Sequence, residues 1–364
     1  MNARQMRVLI TGGAGFVGAN LGVALATRHA EWEIVALDNL MRRGSELNLP
    51  RLRDAGIEFL HGDVREQDDI AAAGPFDAMV ECSAEPSVLA GLADTSYSVQ
   101  TNLVGAFNCL EQARRENAFV VFLSTSRIYP IAPQVALELE ETETRFELAA
   151  AQPIAGVGNE GISENFPLPG ARTFYGATKL AAELLIEEYA EAFGLRAAVN
   201  RCGVIAGPWQ MGKVDQGVFS WWLLSHHFGR PLSYIGYGGS GKQVRDLLHI
   251  DDLVDLVEEQ LGDPEGWSGS VANVGGGREC SLSLLETTEL CRELTGNEIE
   301  ISADPETRPG DVPIYLSDCS RLYARTSWRP TRNARDTLAD LLEWTVAHED
   351  AVAEALGFEK KLSR

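Results

Sequence analysis

A chain of 364 residues, 45% of them hydrophobic, can bury the core of one large α/β domain, or of a nucleotide-binding domain with a smaller second one, and gives no reason to invoke disorder. The 53 acidic against 31 basic residues leave a formal net charge of -22, which opposes general binding to nucleic acid or to an anionic membrane. No run of about 18 apolar residues occurs and no signal-peptide h-region precedes the first strand, so a soluble, cytoplasmic protein is expected. The six cysteines, Cys82, Cys109, Cys202, Cys280, Cys291 and Cys319, lack metal spacing and read as free, mostly buried thiols with no metal site.

Residues 7 to 11 read as an apolar strand, and Gly12, Gly15 and Gly18 come directly after it and open an amphipathic helix running to about Arg28. Glycines in this order let the backbone approach a pyrophosphate, which then rests on the helix N-terminus at Gly15, Phe16, Val17 and Gly18. The next strand ends at Asp38, twenty residues after Gly18. A carboxylate there can accept the ribose hydroxyls of NAD and repel a 2′-phosphate, while Asn39, Arg42 and Arg43 come just after it. Residues 58 to 61, 78 to 82 and 119 to 125 read as further strands, with helices near 67 to 72 and 97 to 117. That alternation is the signature of a doubly wound parallel sheet of Rossmann type. Ligands should lie at the C-terminal strand ends, where Asp63 and Val64 could hold an adenine and where Ala84, Glu85, Asn102 and Thr125 also stand.

Tyr175 and Lys179 sit four residues apart at the start of a probable helix, so they share a face and the ammonium can favour the phenolate. A phenol titrating near pH 10 needs such a neighbour to serve as acid and base. Residues 139 to 170, before this helix, read as a polar insertion and a surface loop. Residues 196 to 201 give another strand. Gly236 to Lys242 imitates a phosphate loop, but Gln243 replaces the magnesium-binding hydroxyl and an extended segment comes next, so no ATPase is read. His249 with Asp251 and Asp252 reads as a helix start capped by Asp. Apolar helices are expected near Trp221 to Phe228, 282 to 294 and 337 to 347.

Gly12-x-x-Gly15-x-x-Gly18, Asp38, Ser124-Thr125 and Tyr175-x-x-x-Lys179 resemble the extended short-chain dehydrogenase/reductases that act on nucleotide sugars, the NAD-dependent epimerases and dehydratases. The resemblance spans residues 6 to 345. Residues 38 to 48, 85 to 88, 141 to 145, Asp215 to Gly217 and 241 to 246 are similar to the branch of CDP-paratose 2-epimerases, also called CDP-tyvelose epimerases. It implies an NAD cofactor, a nucleotide-sugar substrate, a likeness to their homodimers, and a Rossmann domain over residues 1–203, with additions at about 245–275, beside a smaller substrate domain over 204–364. Two departures fall near the implied sugar pocket: Glu85 stands where that branch often has glutamine, and Ile128-Tyr129-Pro130 where the superfamily usually has Val-Tyr-Gly.

The implied catalytic set is Thr125, Tyr175 and Lys179. In the implied reaction Tyr175 takes the C2 hydroxyl proton, hydride leaves C2 and returns to its opposite face, and Thr125 hydrogen-bonds the reacting hydroxyl. Cys202 is implied near the nicotinamide, and Glu85, Ser87, Ser126, Asn200 and Gln210 near the sugar or nucleotide. Arg245 and Arg308 are the candidates for a diphosphate, since a guanidinium fork meets phosphate oxygens bidentately, with Asp311 orienting Arg308 or meeting a ribose. Dehydratases of the superfamily place an Asp-Glu pair after the strand-end hydroxyl, where this chain has Ser126 and Arg127. A 4-epimerase of a UDP- or GDP-sugar, a keto-sugar reductase and a catalytically idle NAD-binding regulator remain as other readings.

Overall fold

The computed structural model describes residues 6–212 and 216–358. Asp215 of the Asp215-Gln-Gly217 segment lies outside them. The chain divides into two compact units, the first formed by residues up to Thr125, Thr173–Arg201 and Leu253–Val271, the second by Ser126–Arg172, Cys202–Asp252 and the residues from Ala272 onward. The segment Ser126–Arg172 therefore clusters with the second unit, whereas the resemblance implies that it belongs to the nucleotide-binding domain.

The first unit is built on a seven-stranded sheet. Its order is Ser270–Val274, Ala197–Cys202, β5 (Phe119–Thr125), β4 (Ala78–Glu81), β1 (Arg7–Thr11), β2 (Glu33–Asp38) and β3 (Glu58–His61). Strands β1 to β5 pair in parallel, with Val8 opposite both Ile34 and Ala78. Parallel strands covered on both faces need apolar residues throughout, and all seven residues of β5 are buried. The chain runs outward from β1 to β3 and returns on the other side at β4, so the strand order reverses at β1, where a doubly wound sheet opens a ligand crevice. Leu9, Val35, Met79, Val120 and Val199 meet in one core with helix residues Ala113, Ala182 and Ile186. Each large aliphatic side chain buried there contributes about 1.5–3 kcal/mol.

Helices flank this sheet. α1 (Phe16–Arg28) comes after β1, and a second long helix, Phe174–Phe193, starts at Thr173, whose side chain accepts the Gly176 N–H at 3.1 Å. The helix expected over 97 to 117 is present but interrupted: Thr95–Val99 and Gly105–Glu116 are joined by a π-turn, Gln100–Val104. A regular apolar period conceals such a turn, because it adds one residue without breaking the buried stripe.

The second unit has its own core around Phe219, Trp222, Leu247, Leu338 and Trp344, and a small sheet of Val204–Ala206, Val244–His249, Ser281–Ser283 and Ile314–Tyr315. The insertion after residue 138 is more structured than a loop: Leu139–Glu141 pairs with Phe146–Leu148, and Val157–Gly158 with Gly161–Ile162. At the helix Ile250–Gly262 the expected Asp cap is replaced. The ring Nδ1 of His249 accepts the Asp251 N–H at 3.0 Å, whereas Asp252 accepts the backbone and hydroxyl of Thr331 and the guanidinium of Arg332. Among the described residues no helix is long and apolar enough to cross a membrane.

Candidate active site

The glycine turn is shaped for a ligand that backbone alone can approach. Gly12 has φ +63°, and a Cβ on Gly18 would lie 2.3 Å from the Gly12 carbonyl oxygen, so a side chain at either position would push the loop off the strand. Gly15 caps α1 without a side chain, which leaves the first-turn N–H groups, Phe16 and Val17 among them, untaken by a cap at the positive end of the helix. Asp38, 9% exposed, holds this turn in place by accepting Ala14 N–H at 3.1 Å and Leu40 N–H at 2.7 Å. Burial raises its pKa, and those backbone donors oppose the rise. A carboxylate already fixed at the end of β2 has lone pairs left for a ribose. The cradle and the acid together fit NAD.

Asp63, expected at an adenine, is held by its neighbours. It accepts Asn39 Nδ2 at 2.9 Å and Arg65 Nη2 at 2.6 Å; burial raises its pKa, but these bonds outweigh burial and hold it at about 2. Val64 is buried, and its carbonyl accepts Asn108 Nδ2. Arg43 is exposed. Asn102, in the π-turn, ties down the loop after β4: its Oδ1 accepts Glu85 N–H at 2.8 Å and its Nδ2 donates to the Glu85 carbonyl at 3.1 Å. Glu85 in turn accepts Ser87 N–H at 2.9 Å, and Ala84 beside it is half-buried.

Thr125 is buried at the end of β5, Tyr175 is half-buried on the first turn of its helix, and Lys179 stands one turn later. All three belong to the first unit. The helix is fastened to β5 beside Thr125, because Ser124 Oγ donates to Glu183 and Arg201 clamps the same carboxylate, with Nη2 to Oε2 at 2.7 Å. Lys179 is 1% exposed, and its ammonium donates to Glu81 Oε2 at 2.9 Å and lies 4.4 Å from the centre of the Phe122 ring. Burial lowers the Lys179 pKa; the charges of Glu81 and Tyr175 raise it, and the net direction is upward. Sequence reasoning missed Glu81. The available signal was an acid closing the buried strand Ala-Met-Val-Glu, since a carboxylate in such a place requires a partner.

Two residues expected at the substrate make internal bonds. The Asn200 amide forms a reciprocal pair with Gln260 at 2.9 and 2.8 Å, fully buried, and Gln210 gives Nε2 to the Ile205 carbonyl while its Oε1 accepts Ser220 Oγ. In the second unit Asp311 accepts Arg245 Nη2 at 2.6 Å. Arg245 also donates to the carbonyls of Val244 and Val312, which fixes the guanidinium plane. Arg308 is half-buried three residues before Asp311; Cys202 is buried at the end of its strand, and Ser126 opens a 3-10 turn after β5. Tyr129, in the departure at 128 to 130, is 1% exposed and donates to Asn273 Oδ1 at 2.8 Å, an internal contact of the second unit. Lys242 of the imitation phosphate loop is bonded to Glu141 and to the Thr142 carbonyl, both at 2.8 Å.

The signature of the NAD dependent epimerase/dehydratase family matches residues 8–275. Over 93% of this chain and 99% of the relative, the sequence is 28% identical to CDP-paratose 2-epimerase of Salmonella typhi. It is 31% identical to dTDP-glucose 4,6-dehydratase of Mycolicibacterium smegmatis, over 94% of each. Among solved structures, UDP-glucose 4-epimerase of Thermus thermophilus, in complex with NAD, superposes with a TM-score of 0.74 at 25% identity, covering 93% of this chain and 98% of that one.

Proposed function

We propose, since the chain belongs to the NAD dependent epimerase/dehydratase family and is an NAD-dependent enzyme of nucleotide sugars, that it inverts its substrate at C2, CDP-paratose to CDP-tyvelose or a close analogue. The pair of residues just after Thr125 carries this reading over the dehydratase one. Elimination of water needs a group to take a proton from carbon and another to protonate the departing hydroxyl. Here Ser126 and Arg127 occupy those places, and Arg127 Nη1 is bonded to the Gly310 carbonyl at 2.8 Å.

Epimerisation demands less of the protein. Tyr175 takes the C2 hydroxyl proton and later returns it, Thr125 hydrogen-bonds the same oxygen, and Lys179 favours the phenolate and grips the nicotinamide ribose. Bound NAD supplies the hydride acceptor and donor. Glu85 and Ser87 are proposed to meet the sugar, Arg245 and Arg308 the diphosphate, with Asp311 orienting Arg245. Leu184 and Phe193, 55% and 60% exposed on the helix Phe174–Phe193, support a second copy of the chain as the partner; a monomeric mass by light scattering at micromolar protein would exclude it.

The deciding experiment mixes purified protein, without added cofactor, with CDP-paratose and tracks the sugar H1–H2 and H2–H3 couplings by NMR. Inversion at C2 is the expected result. A second reading, a 4-epimerase, draws on the likeness to UDP-glucose 4-epimerase; it would leave CDP-paratose unchanged and alter the H3–H4 coupling of a UDP- or GDP-sugar. Stoichiometric consumption of NADH would instead mark a reductase.

A further inference from the structure

Lys179 stands in a place where an ammonium is not stable alone. It is 1% exposed, and besides Glu81 it has the Ser83 carbonyl at 3.4 Å and the face of Phe122. A buried lysine without a countercharge loses its proton by several units below its ordinary value, down to about 5–6 in the extreme. None of the remaining titratable neighbours is a carboxylate: Tyr175 on the same helix is a phenol, Cys82 comes after β4, and Cys109, from the helix Gly105–Glu116, is a buried thiol whose pKa burial raises. Glu81, itself 2% exposed, is the single carboxylate touching the ammonium among the described residues, and it comes from the end of β4, 98 residues away in sequence.

We propose that Glu81 is a positioning residue of the reaction: it keeps Lys179 charged and fixed against β4, so that Tyr175 faces a permanent ammonium rather than a neutral amine. This deepens the epimerase reading, since Lys179 matters through Tyr175, but the titration of Lys179 can be measured without any substrate. The pair places two opposite charges side by side, so Glu81 also limits how far the ammonium's field reaches.

The chain has five lysines, Lys179, Lys213, Lys242, Lys360 and Lys361, which makes each resolvable in a sample labelled with 13C at lysine Cε. The Lys179 signal is assigned by its loss in Lys179→Met. In the wild type it should stay in the ammonium form to at least the pH at which free lysine titrates, about 10.4. In Glu81→Gln it should titrate at least about one unit lower, and in Glu81→Asp, which keeps the charge, closer to the wild type. An unmoved Lys179 titration in Glu81→Gln overturns the proposal. Should Glu81→Gln fail to fold, the double variant Glu81→Gln/Lys179→Met decides: recovery of the fold supports the role of Glu81 as countercharge, and failure assigns Glu81 to the fold alone. Because none of these readouts uses turnover, a negative result leaves the C2 reading standing, and a failed turnover assay leaves the titration standing.

Discussion

Arg201 grips Glu183 with two nitrogens, Nε at 3.1 Å and Nη2 at 2.7 Å from Oε2, and both side chains are less than one-tenth exposed. The arginine lies near the end of the strand Ala197–Cys202, next to β5, and the carboxylate lies one turn beyond Lys179, so the ion pair sets where the helix Phe174–Phe193 sits along the sheet. Glu183→Gln leaves a buried guanidinium without its countercharge and also weakens the bond from Ser124. Loss of about 3–5 kcal/mol is expected in urea unfolding. The double variant Glu183→Gln/Arg201→Met, which removes both charges, should recover most of that loss; equal instability of the two would count against the pair as the cause.

Asp246 gives the second unit a pH dependence of definite sign. It is wholly buried beside Gly203 and Gly275 and accepts the Gly277 N–H at 3.2 Å. Burial pushes its pKa from 3.8 up to about 6, against the pull of those hydrogen bonds. A carboxyl group raised on folding contributes stability that is complete below the unfolded value and is lost as pH rises through the folded one. Between pH 4 and 7 this group alone should cost on the order of 3 kcal/mol. Urea midpoints of wild type and Asp246→Asn should therefore diverge between about pH 4 and 6 and keep that separation above it, with the variant gaining relative stability, and parallel curves across that window would remove Asp246 as the source.

The parts of the site that were legible in sequence are those whose chemistry is local. Gly12, Gly15 and Gly18 act within one turn, Asp38 closes the adjacent strand, and Tyr175 and Lys179 share one helix face. What stayed hidden depends on partners far along the chain. Glu81 meets Lys179 across 98 residues, and the Asn200 amide finds Gln260 across 60. Position in a family pattern put Asn200 and Gln210 near a ligand, but the pattern does not show the internal partners they meet, Gln260 for Asn200 and Ile205 and Ser220 for Gln210. The pairing of Asp311 with Arg245 has the same origin, since Val312 and Val244 bring those two together through the Val244 to Ile314 register.

Asp38 both closes the glycine turn and supplies the acid at the end of β2, so its loss should appear in cofactor content before it appears in turnover. Asp38→Ala removes an acceptor from Ala14 and Leu40 and the proposed partner of the ribose hydroxyls. Charge-assisted bonds of this kind are worth about 1.5–3 kcal/mol, which corresponds to about a 10- to 100-fold weaker hold on NAD. Nucleotide released from acid-precipitated protein should fall accordingly, and wild-type NAD content in the variant would contradict the assignment.

Tyr175→Phe separates proton transfer from everything that positions it. The ring stays, and the contacts of Lys179 with Glu81 and Ser83 do not involve the phenol oxygen, so NAD content and fold should be unchanged. Removal of a general acid/base costs about 10²- to 10⁴-fold in rate, and the fall should appear in kcat with KM little altered. A variant that retains more than about a tenth of the wild-type rate would falsify the role of Tyr175. If the rate falls as expected while Glu81→Gln lowers the alkaline limb of the wild-type pH profile, the two results order the site: the phenol moves the proton, Lys179 tunes the phenol, and Glu81 holds Lys179 in the form that can do so.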